Sequence, residues 1–164
     1  DEYAVGELYY GALLSINAIL VVLLQFWITR RIERQRPMLM LAAGSLLYAI
    51  GFAMYGFTST FALFVIAMVV ITFGEMVVSP FQQSVVAGFA PEDMRGRYMA
   101  VSSLSWSLAF TIGPYVAGSI LDGGHPTLLW YLSGLVGLLA MLGFVLLNKT
   151  HAVPAANIEP AAAD

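Results

Sequence analysis

Apolar residues fill five long stretches of this chain, at about 9–29, 38–57, 62–88, 98–121 and 128–148, with short polar segments between them. Each stretch is close to the roughly 20 residues a helix needs to cross about 30 Å of hydrocarbon, with room for tilt in the longer ones. Open strands would leave backbone groups unsatisfied in lipid. Barrel strands would alternate apolar and polar positions over about 10 residues, and these runs do not alternate. The pattern therefore predicts an all-α integral membrane protein with five transmembrane helices in one segment, 1–148. Residues 149–164, rich in Ala and Pro, have little to bury and are expected to form a disordered cytoplasmic tail.

The basic residues give the segment a direction. All seven fall in three places: Arg30, Arg31, Arg34 and Arg36; Arg95 and Arg97; and Lys149. Two apolar stretches separate each group from the next, and the intervening segments 57–61 and 122–126 carry no Lys or Arg. Basic residues are held on the cytoplasmic side of a membrane. This places 30–36, 91–97 and the tail inside, and the acidic segment 1–7 outside. Pro37 suits the first turn of a helix, where its missing N–H costs nothing. Glu92 and Asp93 suit the approach to a helix N-terminus.

Composition narrows the classes further. Hydrophobic residues make up 60% of the chain and charged residues 10%, against about 45–50% and about 25% in soluble domains. A net charge of −3 argues against nucleic acid, which demands a basic footprint. There is no cysteine, and the two histidines lie far apart in a loop and a tail. No metal site, cofactor motif or enzyme signature is visible. The first residue is Asp1, not Met, and no signal peptide pattern follows. That start is expected of a processed or truncated chain.

One charge stands inside a stretch. Glu75 is the only acid or base within an apolar run, and it falls near the middle of the third. A charge at that depth costs roughly 2.5–3.5 kcal/mol on insertion scales. It must be neutral, paired, or facing a wet cavity. Helical spacing places Thr72, Ser79 and Gln82 on its face. A stripe of this kind suits a water-accessible path with Glu75 as a proton-coupling group. The alternative is a protonated acid that bonds to a neighbour and fixes packing. In the first stretch Asn17 and Gln25 lie on roughly one side, either to bind substrate or to bond across helices.

The fourth stretch carries Ser103, Trp106 and Phe110, then Gly113, Pro114, Ala117 and Gly118. The small residues let another helix approach closely, and Pro114 should kink the helix. Pro80 should act similarly in the third stretch. Met68, Met76 and Met99 with Phe73, Trp106 and Phe110 suit either an adaptable apolar pocket or ordinary packing and lipid contact.

Several of these segments resemble the major facilitator superfamily. Phe73-Gly74-Glu75-Met76-Val-Val-Ser79-Pro80, followed by Ala90-Pro91-Glu92-Asp93-Met94-Arg95-Gly96-Arg97-Tyr98-Met99, is similar to its tenth helix and the loop after it. Ile112-Gly113-Pro114-Tyr-Val-Ala-Gly118 resembles its eleventh helix, and the run from Leu14 through Asn17 to Gln25 its eighth. The resemblance covers 9–148 and is nearest the drug/proton antiporter branch. It departs at Thr29-Arg30-Arg31-Ile32-Glu33-Arg34-Gln35-Arg36, which keeps the charge of the family's loop but not its glycines or Asp-Arg pair.

The resemblance implies helices eight to twelve of a twelve-helix transporter, a partial major-facilitator fold. It implies that the first, third and fourth stretches line a central cavity while the second and fifth face lipid. The substrate-cavity candidates are then Asn17, Gln25, Thr72, Ser79, Gln82, Ser103, Trp106 and Phe110. Its partners would be the lipid bilayer, the missing amino-terminal half, protons and a small-molecule substrate. Its place would be a bacterial inner membrane. The leading expectation is proton-coupled efflux of small amphipathic or drug-like molecules by alternating access. The alternatives are a porter for a sugar, peptide or metabolite, and a non-transporting membrane scaffold.

Overall fold

In a computed structural model, the described residues are 7–150, so the expected outer acidic segment and most of the expected tail fall outside them. Five α-helices follow one another: α1 (Glu7–Ile32), α2 (Pro37–Tyr55), α3 (Phe61–Phe89), α4 (Arg95–Asp122) and α5 (Pro126–Thr150). A single 3₁₀ turn at Glu92–Met94 precedes α4, and no strand occurs among the described residues. All five helices are long and apolar enough to cross a membrane. The protein is thus an all-α integral membrane chain.

The helix ends follow local chemistry. Pro37 occupies the first turn of α2, as its fixed φ favours. Arg30 and Arg31 lie in the last turn of α1, against the negative end of its dipole. Glu92 and Asp93 sit just ahead of α4. The α4–α5 turn closes through Gly124 at φ 74°, a left-handed conformation in which a Cβ would be strained. Pro80 and Pro114 both lie inside continuous helices, so neither ends its element.

α2 is the centre of the bundle. It packs against α3 on one side and α5 on the other, while α1 packs on α3. Glycine makes these approaches possible. A Cβ on Gly44 would sit 3.0 Å from the Gly74 carbonyl oxygen, and one on Gly51 would sit 3.2 Å from that of Ala67. On the other face of α2, a Cβ on Gly137 would meet the Ala49 backbone at 3.0 Å. Two apolar clusters complete the packing. Leu13, Tyr55, Phe64, Ala67 and Ile71 form one, and Met38, Leu41, Phe81 and Val85 the other. In lipid such packing contributes through van der Waals contact more than through removal of apolar surface from water.

Two features of the packing bear on the expectations from the sequence. The second and fifth stretches also pack on one another, and α2 has α3 on its other flank. Gly113 and Gly118 are not packing contacts among the described residues: a Cβ on either would meet nothing within 4 Å. No side chain of α4 is buried.

Candidate functional site

Glu75 is half-buried near the middle of α3 and faces two environments. On one side stands α1. The Asn17 amide donates one hydrogen to Glu75 Oε2 and the other to Thr72 Oγ1, both at 3.0 Å. Thr72, wholly buried, donates its own hydrogen to the Met68 carbonyl oxygen at 2.8 Å. The Asn17 side chain therefore spans two groups one helical turn apart on α3.

Gln25 makes the next link two turns along α1. Its Nε2 donates to the Met76 carbonyl oxygen at 3.2 Å and to Thr29 Oγ1 at 2.9 Å. Both amides thus bond between α1 and α3. Each such bond contributes roughly 0.6 to 2 kcal/mol inside a membrane.

On its other side Glu75 borders an open cleft of about 540 Å³ lined by α2, α3, α4 and α5. α3 contributes Ser79 and Gln82 beside it, and α4 contributes Ser103 and Trp106. These residues share the cleft with Glu75. The remaining candidates do not. Asn17 and Gln25 lie on the α1 side, Thr72 is buried in its hydrogen bonds, and Phe110 stands exposed, stacked on Trp106 at 5.8 Å. The shared border expected of Asn17 and Gln25 with Ser79, Gln82, Ser103 and Trp106 is accordingly divided by α3. The methionine and aromatic set is divided too. Met76 is buried, Phe73 is exposed, and Met99 joins Trp106 on the cleft.

The cleft has walls that the polar stripes of α1, α3 and α4 did not reveal. α2 supplies Ser45, Tyr48 and Phe52, and α5 supplies Ser133, Gly137 and Ala140. Their signal was present as spacing. Ser45, Tyr48 and Phe52 recur at three and four residues, as do Ser133, Gly137 and Ala140, which is one helix face in each case. One serine per helix face was too faint to separate that face from ordinary packing.

A second cleft, of about 810 Å³, continues between α3 and α4 toward their 89–97 ends. Gln82 and Ser102 border both clefts, and Arg97 and Tyr98 stand at the far end. Arg30, Arg31, Arg34, Arg36, Arg95 and Arg97 are all exposed. Among the described residues no group of three His, Cys, Asp or Glu side chains could hold a metal ion.

The arrangement has specific chemical capacity. A lone carboxyl near the middle of α3 has an amide donor on one side and a hydroxyl-lined space on the other. Such a group accepts a hydrogen bond from α1 and presents its carboxyl to whatever occupies the space.

Comparison with known proteins extends the picture. A family model described as Major Facilitator Superfamily matches residues 1–163. An antiporter of Planococcus maritimus named for Na⁺, Li⁺, K⁺ and H⁺ is 38% identical over 109 residues, 66% of this chain and 26% of that protein. The uncharacterized MFS-type transporter YdeE of Escherichia coli is 30% identical over 132 residues, 80% of this chain and 33% of that protein. YqjV of Bacillus subtilis, likewise an uncharacterized MFS-type transporter, is 33% identical over 119 residues, 71% of this chain and 28% of that protein. The chain thus spans about a quarter to a third of the length of these curated relatives. No solved structure matches it.

Proposed function

The chain belongs to the Major Facilitator Superfamily, and from that premise we propose that it is the carboxy-terminal part, helices eight to twelve, of a proton-coupled antiporter. Glu75 is the coupling group. The observation that carries this reading is its position, bonded to Asn17 at 3.0 Å on one side and open to the 540 Å³ cleft on the other. A cationic occupant of the cleft would lie directly beside this carboxyl. The same group therefore exchanges a proton for a cationic substrate as access alternates between the two sides. The protein would sit in the plasma membrane of a bacterium, with the 30–36 and 91–97 loops in the cytoplasm, as the placement of the basic residues favours.

Two substrate classes fit a carboxylate of this kind. Met99, Trp106 and Phe52 along the cleft support an amphipathic organic cation, the drug-like cargo of an efflux pump. The similarity to an antiporter of Na⁺, Li⁺ and K⁺ supports an inorganic one. A sugar, peptide or metabolite porter would leave the acid without an evident charge partner. A scaffold would leave the cleft beside it without a purpose.

Glu75→Gln in the full-length polypeptide tests the shared premise. Glutamine resembles the protonated acid but has no proton to release. The variant is expected to insert normally and to lose cation efflux driven by an imposed pH gradient. Undiminished efflux would remove Glu75 from the coupling step. Loss of folded protein would assign it a packing role instead.

A further inference from the structure

Resting on that reading of Glu75, we infer that Asn17, Thr72 and Glu75 form a binding site for one dehydrated alkali cation, with turnover of the Asn17 amide exchanging the empty and occupied arrangements. The Asn17 nitrogen stands 3.0 Å from both Thr72 Oγ1 and Glu75 Oε2. It spends one hydrogen on each. Thr72 has given its own hydrogen to the Met68 carbonyl oxygen, so toward Asn17 it is purely an acceptor. The amide is the donor that holds these two oxygens together.

A half-turn of the amide about its last side-chain bond replaces the nitrogen by Oδ1. Three oxygens then converge where a donor had been. Facing acceptors repel, and a positive charge between them reverses the sign. That charge is either a proton on Glu75, shared with Oδ1, or a metal cation held by all three oxygens. Entry of a monovalent cation with departure of the proton leaves the charge of the site unchanged. The exchange is balanced one for one, with no other reactant.

Burial sets the selectivity. Thr72 has no exposed surface, so an ion bound there sheds the water on that side. Mg²⁺ dehydrates reluctantly and demands near-octahedral geometry. With a single carboxylate, a divalent ion would also leave an uncompensated charge at a costly depth. A monovalent ion is balanced. Of the three residues Glu75 alone borders the cleft, so its carboxyl is what connects the site to that space. Few titratable groups compete around the acid. Tyr48 of α2 borders the same cleft, while the cleft-lining residues of α4 and α5 include no acid or base. α1 carries no charged residue between Tyr10 and Arg30.

Labelling of Glu75 by a carbodiimide in the purified full-length protein, followed by mass spectrometry, tests the site without requiring transport. NaCl and LiCl are expected to slow labelling; choline chloride and MgCl₂ are not. Thr72→Val keeps the shape and removes an oxygen, and should raise the Na⁺ needed for protection by about tenfold, the equivalent of 1.4 kcal/mol. Thr72→Ser restores the oxygen and should bring the value back to that of the parent. If Thr72→Val fails to accumulate, Asn17→Leu should show the same loss of protection. Labelling unaffected by NaCl in the parent, or protection unaltered in these variants, overturns the site. The coupling role of Glu75 would then still stand if Glu75→Gln abolishes proton-driven efflux of an organic cation.

Discussion

α2 and α4 are both apolar helices carrying glycines, and their fates in the fold are opposite. α2 buries residues on both flanks, with Gly44 and Gly51 against α3 and Ala49 against Gly134 and Gly137 of α5. α4 buries none, and Gly113 and Gly118 face open space. Glycines on a helix permit a close approach; they do not supply the partner. At the α2–α3 contact both sides are small where they meet, Gly44 opposite Gly74 and Gly51 opposite Ala67. Gly44 and Gly51 face Gly74 and Ala67 at the same seven-residue spacing, whereas Gly113 and Gly118 of α4 face no helix among the described residues.

The sharpest way to break the comparison is to fill a glycine on each side of it. Gly74→Leu would force a side chain onto the Gly44 carbonyl oxygen at 3.0 Å and the Tyr48 nitrogen at 3.2 Å, where backbone cannot yield. The expected cost is about 3 kcal/mol or more, at the upper end for overpacking. Gly113→Leu meets nothing within 4 Å and should be neutral or gain up to about 1 kcal/mol from helix propensity. Thermal unfolding of this chain in detergent reads both. Equal losses would mean that α4 packs as tightly as α2.

A smaller insertion gives a graded version. Gly137→Ala adds one methyl 3.0 Å from the Ala49 backbone at the α2–α5 contact. It is expected to cost about 1–3 kcal/mol. Gly118→Ala, with nothing within 4 Å, should be neutral or gain up to about 1 kcal/mol from helix propensity. A neutral Gly137→Ala in the same unfolding assay would show that α5 can slide on α2.

The membrane fold was legible because each apolar stretch is as long as a crossing and every basic residue sits outside the stretches. Glu75 and its stripe were legible for a similar reason, since one charge in a long apolar run has few explanations. The packing was not. Glycine at 44, 51 or 137 looks the same in sequence as glycine at 113, and only the opposing helix distinguishes them. The roles of Asn17 and Gln25 stayed open because an amide that binds substrate and one that bonds to α3 have identical spacing. Ser45 and Ser133 were hidden because a lone hydroxyl in a membrane helix commonly serves its own backbone.

Between α1 and α3 the expected effect is smaller again. Gln25→Leu removes the bond to the Met76 carbonyl oxygen. Bonds of this kind contribute about 0.6 kcal/mol on average in a membrane protein. A loss of about that size, seen as a small fall in unfolding temperature, would rank this polar link below the glycine contacts of α2.

The smallest effect belongs to the hydroxyls of α4. Ser105 donates to the Val101 carbonyl oxygen at 3.1 Å, Ser107 to that of Ser103 at 3.1 Å, and Thr111 to that of Ser107 at 2.8 Å. Each serves the preceding turn of its own helix, unlike Asn17 and Gln25, whose donors reach another helix. Such bonds compete with the backbone and do little for helix stability. Removing one should therefore leave no donor stranded and break no tie between elements. Ser107→Ala is expected to shift the stability of this chain by less than about 0.5 kcal/mol. Alanine also has the higher helix propensity, which pushes any small change toward stabilisation. A loss above about 1 kcal/mol would exceed what an exposed residue without a cross-helix partner can account for. It would place a second helix against this face of α4 and erase the contrast with α2.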